Sequence, residues 1–343
     1  MWYVGLDIHQ RRSSICILSE RGERLRTETV VGPWSKLLGR LRAFEEPFAV
    51  CFEASLGYGH LYEQLSAIAR RVAVAHPGHL RLIFRSKRKN DRVDAEKLAK
   101  LLYLDEVPTV HVPTLDVRSW RSLVEHRQRI VAERTRCKNS LRALLRAHGI
   151  AQPKGLWSGR GLAWLRSVEL TTDADRLRRD LTLEALAHGT ERLRTIESHL
   201  GRIGASHPGV ALLMTIPGVG ACTASAVVAY IDDPRRFPHN RAVGRYFGVV
   251  PTQDASGAVN RLGHISREGP STVRLLITEA AWHAARRSPT VKAYFRRVLH
   301  GDPGRRKIAL VATGHYLLRV MHAMLRDGTP WNESEPAAGS AAA

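Results

Sequence analysis

The chain has 343 residues, 44% hydrophobic and 25% charged, which is long enough for two or three domains with their own cores and too apolar for a disordered chain. Lysine and arginine number 53 against 32 acids, a net charge of +21, and that balance points to a polyanionic partner, nucleic acid being the commonest. Its four cysteines (Cys16, Cys51, Cys137, Cys222) form no CxxC pair, which excludes a zinc knuckle and argues against a disulfide framework.

The opening "MWYVGLDIHQRR" has no basic region followed by an apolar one, so no signal peptide is expected. No uncharged apolar run approaches the ~18 residues of a membrane helix. A cytoplasmic protein without membrane attachment is the expectation.

Over residues 1–108, strand-like and helix-like segments alternate. "WYVGLDI", "SSICIL" and "LRTETVV" read as an antiparallel meander joined by polar turns. "WSKLLGRLRAF" has helical spacing, "PFAVCFEAS" reads as a buried strand, and "YGHLYEQLSAIARR" as an amphipathic helix. The strand "VAVAHP" and a helix beginning near Asn90 complete the order βββαβαβα, that of an α/β RNase H-like domain with a mixed sheet.

Residues 109–205 carry two Arg-rich amphipathic helices separated by a break at "PKGLWSGRG". Their apolar spacing suits a helical hairpin or a dimeric coiled coil, and dimerisation is the expectation carried forward. Residues 206–328 read as a compact, mostly α domain with a Gly/Ser-rich middle. The tail from 329 to 343 lacks apolar content and is expected to be disordered.

Four carboxylates stand out. Asp7 lies in the first apolar strand, where an acid is costly unless a hydrogen bond or a cation compensates it. Glu53 ends the strand that neighbours it in an RNase H-like sheet. Asp91 and Asp94, at i and i+3, share one face of the later helix. Together they would hold Mg²⁺ or Mn²⁺, because like charges that close coexist only around a cation. Such metals activate the attacking oxygen and stabilise the leaving oxygen of a phosphodiester.

Singly, each acid has a plainer reading: Glu53 as a solvated strand end, Asp91 and Asp94 as first-turn acids behind an Asn90 cap. His9 and His76 lie near the set and are read as structural. The basic run Arg85, Lys87, Arg88 and Lys89, with Arg92 beyond it, is placed to hold a phosphate backbone.

A second constellation follows. In "LLMTIPGVGACTASAVVAYI" two apolar helices flank Pro217-Gly218-Val219-Gly220, a helix-hairpin-helix pattern. Gly218 and Gly220 permit the tight turn and bring backbone N–H groups close to a phosphate. Beyond it, a polar loop holds Ser256-Gly257 with Arg261, His264 and Arg267 nearby. A serine among arginines can attack a phosphodiester, although Ser-Gly in a loop is ordinarily just a turn.

The ordered set "GLDIHQ", "CFEAS", "RSKRKNDRVDAEKLAKLL", "TIPGVGACTASAVVAYI", "GVVPTQDASGAVNRLGHISREG" and "KIALVATGHYLLRVMHAML" resembles the DEDD transposases of the IS110 family of bacterial insertion sequences. The resemblance implies a RuvC-like N-terminal domain, a helical dimerisation linker and a C-terminal transposase domain. It implies that Asp7, Glu53, Asp91 and Asp94 are the DEDD set and that Ser256 is the nucleophile, forming a phosphoserine link to DNA.

It further implies a structured guide RNA pairing with donor and target DNA, and a homodimer or tetramer in which one subunit's acids meet another's serine. Where the family commonly reads Ser-Ser-Gly-Gly-Lys, this chain has Ala255-Ser256-Gly257-Ala258-Val259. One candidate serine remains, and Arg261 is the expected cation in place of the lysine. Two other classes stay open: a junction-resolving nuclease in which water attacks at the acids, and a non-catalytic nucleic-acid-binding protein, which would be indifferent to loss of Asp7.

Overall fold

The structure is a computed structural model that describes residues 1–55, 57–83, 90–256 and 259–333. The chain divides into two units, the first Met1–Leu115 and the second from Asp116 onward.

In the first unit, β1 (Trp2–Ile8), β2 (Arg12–Leu18) and β3 (Arg24–Val31) form the expected antiparallel meander. After α1 (Trp34–Arg42), β4 (Phe48–Glu53) returns beside β1 and parallel to it. Helix α2 (Tyr58–Ser66) leads to β5 (Arg71–Ala75), parallel to β4, so the order across the sheet is β3-β2-β1-β4-β5. Helix α2 stops earlier than its apolar spacing suggests, because the chain must be extended by Arg71 to pair with Ala49. A short α3 (Pro77–Ile83) then precedes α4 (Asp91–Tyr103), one helix more than the sequence pattern implied.

The two faces of the sheet follow from the period of two along each strand. Val4, Leu6, Ile15, Ile17, Val50 and Phe52 pack against Leu37, Leu41, Leu61 and Leu65 of α1 and α2. Each such leucine, fully buried, contributes roughly 2–3 kcal/mol relative to exposure. On the other face Ala49, Cys51, Ala73 and Ala75 meet Leu98, Leu101 and Leu102 of α4, while Cys16 and Leu18 meet Ala95 and Ala99. Small residues at the crossing bring helix and sheet together. A Cβ on Gly5 would stand 2.0 Å from the Ala95 carbonyl oxygen and 2.4 Å from the Ala99 nitrogen.

The second unit begins with two helices of 33 residues, α5 (Leu115–Ala147) and α7 (Asp173–Ala205), with α6 (Gly159–Ser167) occupying the expected break. Ser158 caps α6 and Thr172 caps α7. Arg127 bonds Glu197, Arg134 bonds Thr190 and His148 meets Asp175, so the pairs run in opposite directions along the two helices. Within one chain, α5 and α7 are therefore an antiparallel hairpin.

Beyond it come α8 (Pro208–Leu213), α9 (Ala221–Ile231), α10 (Asn240–Tyr246), the ribbon β6 (Pro251–Ser256) and β7 (Val259–Ile265), α11 (Ser271–Arg287), α12 (Pro289–Leu299) and α13 (Arg306–Asp327). Helix α9 is buried from Thr223 to Ile231 and forms the centre of this core. The stretch Pro303–Asp327 has the length and apolar content of a membrane span, yet Leu317, Leu318 and Met321 are fully buried in the same core. The start of the tail is ordered rather than free: the Trp331 N–H donates to Thr215, and Glu333 accepts from Thr290. Residues 334–343 lie outside the described residues.

Candidate active site

The helix–sheet crossing aligns α4 antiparallel to β1. Tyr3 meets Tyr103 edge-on at 5.3 Å, Gly5 meets Ala95 and Ala99, and the last step of the series brings Asp7 to the first turn of α4. That turn carries Asp91 and Asp94, and Asn90 caps it by accepting from the Arg92 N–H. The plain reading of these acids and the chemical one thus hold together: the helix start that suits a carboxylate is the one delivered to the strand end.

Single ligand atoms of Asp7, His9 and Asp91 lie within 4.8 Å of one another. His9 Nε2 stands 3.4 Å from Asp7 Oδ2. The histidine backbone is held by its N–H donating to the Arg12 carbonyl and by Trp34 Nε1 donating to its own carbonyl. Asp94 is engaged by Lys97 Nζ at 3.0 Å. Glu53 follows Phe52, which pairs with Leu6, so it stands beside Asp7 in register at the same sheet end, exposed and outside the close group.

Asp7 is not fully buried as expected; its side chain is 21% exposed, because it is the penultimate residue of β1. Desolvation by burial nevertheless pushes its carboxyl above the usual range, Asp91 and Asp94 push it further, and His9 opposes them. A partly desolvated carboxylate facing two others is a site whose ionised form calls for a cation. The aspartate oxygens suit a hard divalent ion, and an imidazole beside Asp7 suits a positioning role for Mg²⁺ or direct ligation of a softer metal. His9 is the residue sequence reasoning passed over. Its signal was there: two residues after Asp7 along an extended chain puts both on one side. His76, by contrast, is structural, accepting from the Gly78 and His79 N–H groups at the start of α3.

Arg85, Lys87, Arg88 and Lys89 lie outside the described residues, as do Gly257 and Ala258. Arg92 is exposed on α4. Gly218 has φ +94°, and a Cβ there would stand 2.5 Å from the Ala284 nitrogen, so this glycine serves packing of the turn onto α11. Gly220 differs. It is the N-cap of α9, has no side-chain cap and faces open space, beside a cleft of about 340 Å³ shared with Thr223, His283 and Arg287.

The expected polar loop is instead the β6–β7 ribbon. Alternating residues in "TQDAS" and "VNRLGHI" let the two runs pair, with Ser256 opposite Val259 and Asp254 opposite Arg261. Arg261 is two rungs from Ser256. Arg267 is not near it: Pro251 pairs with Ile265 at the far end of the ribbon, roughly 17 Å away at strand rise. Arg267 adopts a left-handed φ of 57° and its N–H donates to the Gly248 carbonyl, a turn role.

A mixed sheet of this strand order, with carboxylates gathered at one end of its central strand, followed by a mostly helical unit, fits an RNase H-like arrangement. Residues 4–150 match the family model of the IS110 DEDD transposases and residues 210–296 that of the IS116/IS110/IS902 transposase family. The transposase for insertion sequence element IS1111A of Coxiella burnetii is 26% identical over 282 residues, covering 81% of this chain and 76% of that protein. The transposase for insertion sequence element IS1328 of Yersinia enterocolitica is 26% identical, covering 81% and 82%. The chain carries the DEDD transposase domain of the IS110 family and, further on, the IS116/IS110/IS902 transposase domain, and is an enzyme that acts on DNA.

Proposed function

We propose that this transposase cuts and rejoins DNA strands with a divalent ion, Mg²⁺ or Mn²⁺, at Asp7, Asp91 and Asp94, with Glu53 completing the set. The observation that carries the reading is the approach of Asp7 to Asp91, 84 positions apart in the sequence, to within ligand-sharing distance. When bound, the ion supplies charge neutralisation at the phosphate under attack. The chain's own residues hold it: Asp7 on a rigid central strand, Asp91 and Asp94 on a capped helix start, His9 fixing the Asp7 carboxylate.

Ser256 is the proposed nucleophile. Its oxygen bonds to phosphorus as the bond from phosphorus to the bridging oxygen breaks. The hydroxyl proton passes through solvent to that departing oxygen, leaving a phosphoserine link and a free hydroxyl on the other strand end. Its place near the tip of a paired ribbon, with Arg261 two rungs away, supports this. A structured noncoding RNA selects donor and target in the same proposal, supported by the family resemblance and the net charge of +21. Assembly as a homodimer or tetramer, joining one subunit's acids to another's serine, is supported by Leu177 and Leu181, one turn apart on α7 and 60% and 56% exposed.

The deciding experiment incubates purified protein with donor DNA, guide RNA and Mg²⁺, then looks for a covalent protein–DNA adduct. An adduct that disappears in Ser256→Ala and in Asp7→Ala is expected. Hydrolysed ends that survive Ser256→Ala but vanish in Asp7→Ala would replace the serine mechanism with attack by water.

A further inference from the structure

From Arg286 to Lys307 the chain carries eight lysines and arginines against one acid, Asp302. Asp302 is occupied locally, accepting from the Gly304 N–H. Arg286 and Arg287 end α11; Lys292, Arg296 and Arg297 lie on α12; Arg305, Arg306 and Lys307 lead into α13. Among the described residues none of the eight forms an ion pair, and all but Arg305 are exposed. Helix α7 is the contrast, with six arginines and six acids. Four of these arginines pair: Arg176 with Asp173, Arg179 with Asp180, Arg192 with Glu133 and Arg194 with Glu191. Unpaired charge on α11–α13 is therefore not a general consequence of a basic composition.

The aromatic side chains of this surface hold the cations rather than offering free faces. The Trp282 ring carries the Arg286 and Arg306 guanidiniums at 4.3 and 4.5 Å. Tyr294 stacks on Tyr316 with centroids 4.5 Å apart, and Arg297 lies 5.0 Å from the Tyr294 centroid. Rings so engaged are not platforms for splayed bases, which single-stranded recognition requires. They fix guanidiniums as donors for phosphate oxygens. Arg287 also lines the cleft beside Gly220, so the surface is continuous with the start of α9.

We infer that the end of α11, α12 and the start of α13 form a docking face for the phosphodiester backbone of double-helical DNA, independent of base sequence. The inference rests on DNA being the substrate and not on the serine or metal chemistry.

The test measures binding of the full chain, in EDTA, to a duplex of unrelated sequence as salt is varied. In Arg286→Gln/Arg297→Gln/Arg306→Gln the slope of log K against log salt should fall by about 3, and affinity at low salt at least ~10-fold. The Arg→Lys triple should keep the slope. If the glutamine triple does not fold, Lys292→Gln/Arg296→Gln/Lys307→Gln on the same face carries the same expectation. Arg192→Gln/Arg194→Gln on α7 should change the slope by less than about 1. An unchanged slope in the face variants, an equal loss from the α7 pair, or a loss confined to RNA or to anionic vesicles would overturn the inference. Because no cleavage occurs in EDTA, failure of the catalytic proposal leaves this readout intact.

Discussion

The Asp7 carboxylate lies 3.4 Å from the His9 imidazole, two residues along the same extended segment. A histidine so placed lowers the carboxylate's affinity for protons and, in the proposed site, would orient it toward the ion. His9→Ala should therefore weaken Mn²⁺ binding and strand cleavage by about 10–100-fold while duplex binding in EDTA is retained. Metal titration followed by thermal shift, alongside cleavage assays, checks this. A variant with unchanged metal affinity would make His9 a bystander.

The acid cluster also predicts a pH dependence. Burial first, then Asp91 and Asp94, raise the Asp7 carboxyl in the folded, metal-free protein. Between the ordinary carboxylate value and the raised one, the fold holds a proton that the unfolded chain has released. Stability contributed by Asp7 is thus lost as pH rises through that window. In EDTA, Asp7→Asn should melt at least as high as the parent at pH 7, and its melting temperature should vary less between acid and neutral pH. Saturating Mg²⁺ at about 100 times its Kd should stabilise the parent by about 2.7 kcal/mol and leave Asp7→Asn unaffected.

Gly5 is the hinge of the site without belonging to it. Gly5→Ala would drive a methyl group into the Ala95 carbonyl and the Ala99 nitrogen, which are backbone atoms with no rotamer to yield. Denaturant titration should show a loss of about 3 kcal/mol or more. Any folded fraction should lose cleavage, since α4 must shift away from Asp7.

The two turn glycines should separate. At Gly218, a positive φ and the 2.5 Å approach to Ala284 make Gly218→Ala destabilising by about 2–4 kcal/mol. At Gly220, which faces open space with ordinary φ, Gly220→Ala should cost under about 1 kcal/mol. Thermal denaturation of the pair distinguishes packing from exposure.

His315 gives a second pH effect, of opposite sign. Burial, then Arg319, depress its proton affinity, and its Nε2 is buried without a hydrogen-bond partner among the described residues. The stability it confers is present above the ordinary imidazole value of about 6.5 and is lost as pH falls through its folded value. Melting temperature should drop between pH 7 and pH 5, and His315→Gln should flatten that drop.

The period of two in "WYVGLDI" and "FAVCFE", the Asn90 cap and the three- and four-residue spacing of α5 and α7 are local properties, so the N-terminal fold class and most of the element order were legible in the sequence, the short α3 and the β6–β7 ribbon excepted. Asp7 stood out as an acid in an apolar strand, whereas Asp91 and Asp94 are acids that any capped helix start favours and stood out only as an i, i+3 pair beside a basic run. Tertiary structure decided what depends on distance through space. It admitted His9 to the acid group, left Glu53 beside it, paired α5 with α7 by antiparallel hydrogen bonds, and moved Arg267 to the far end of a ribbon. Hydrophobic pattern specifies which face of an element is buried. Which groups then meet is fixed by how closely backbones approach, and here that approach is set by the missing Cβ of Gly5.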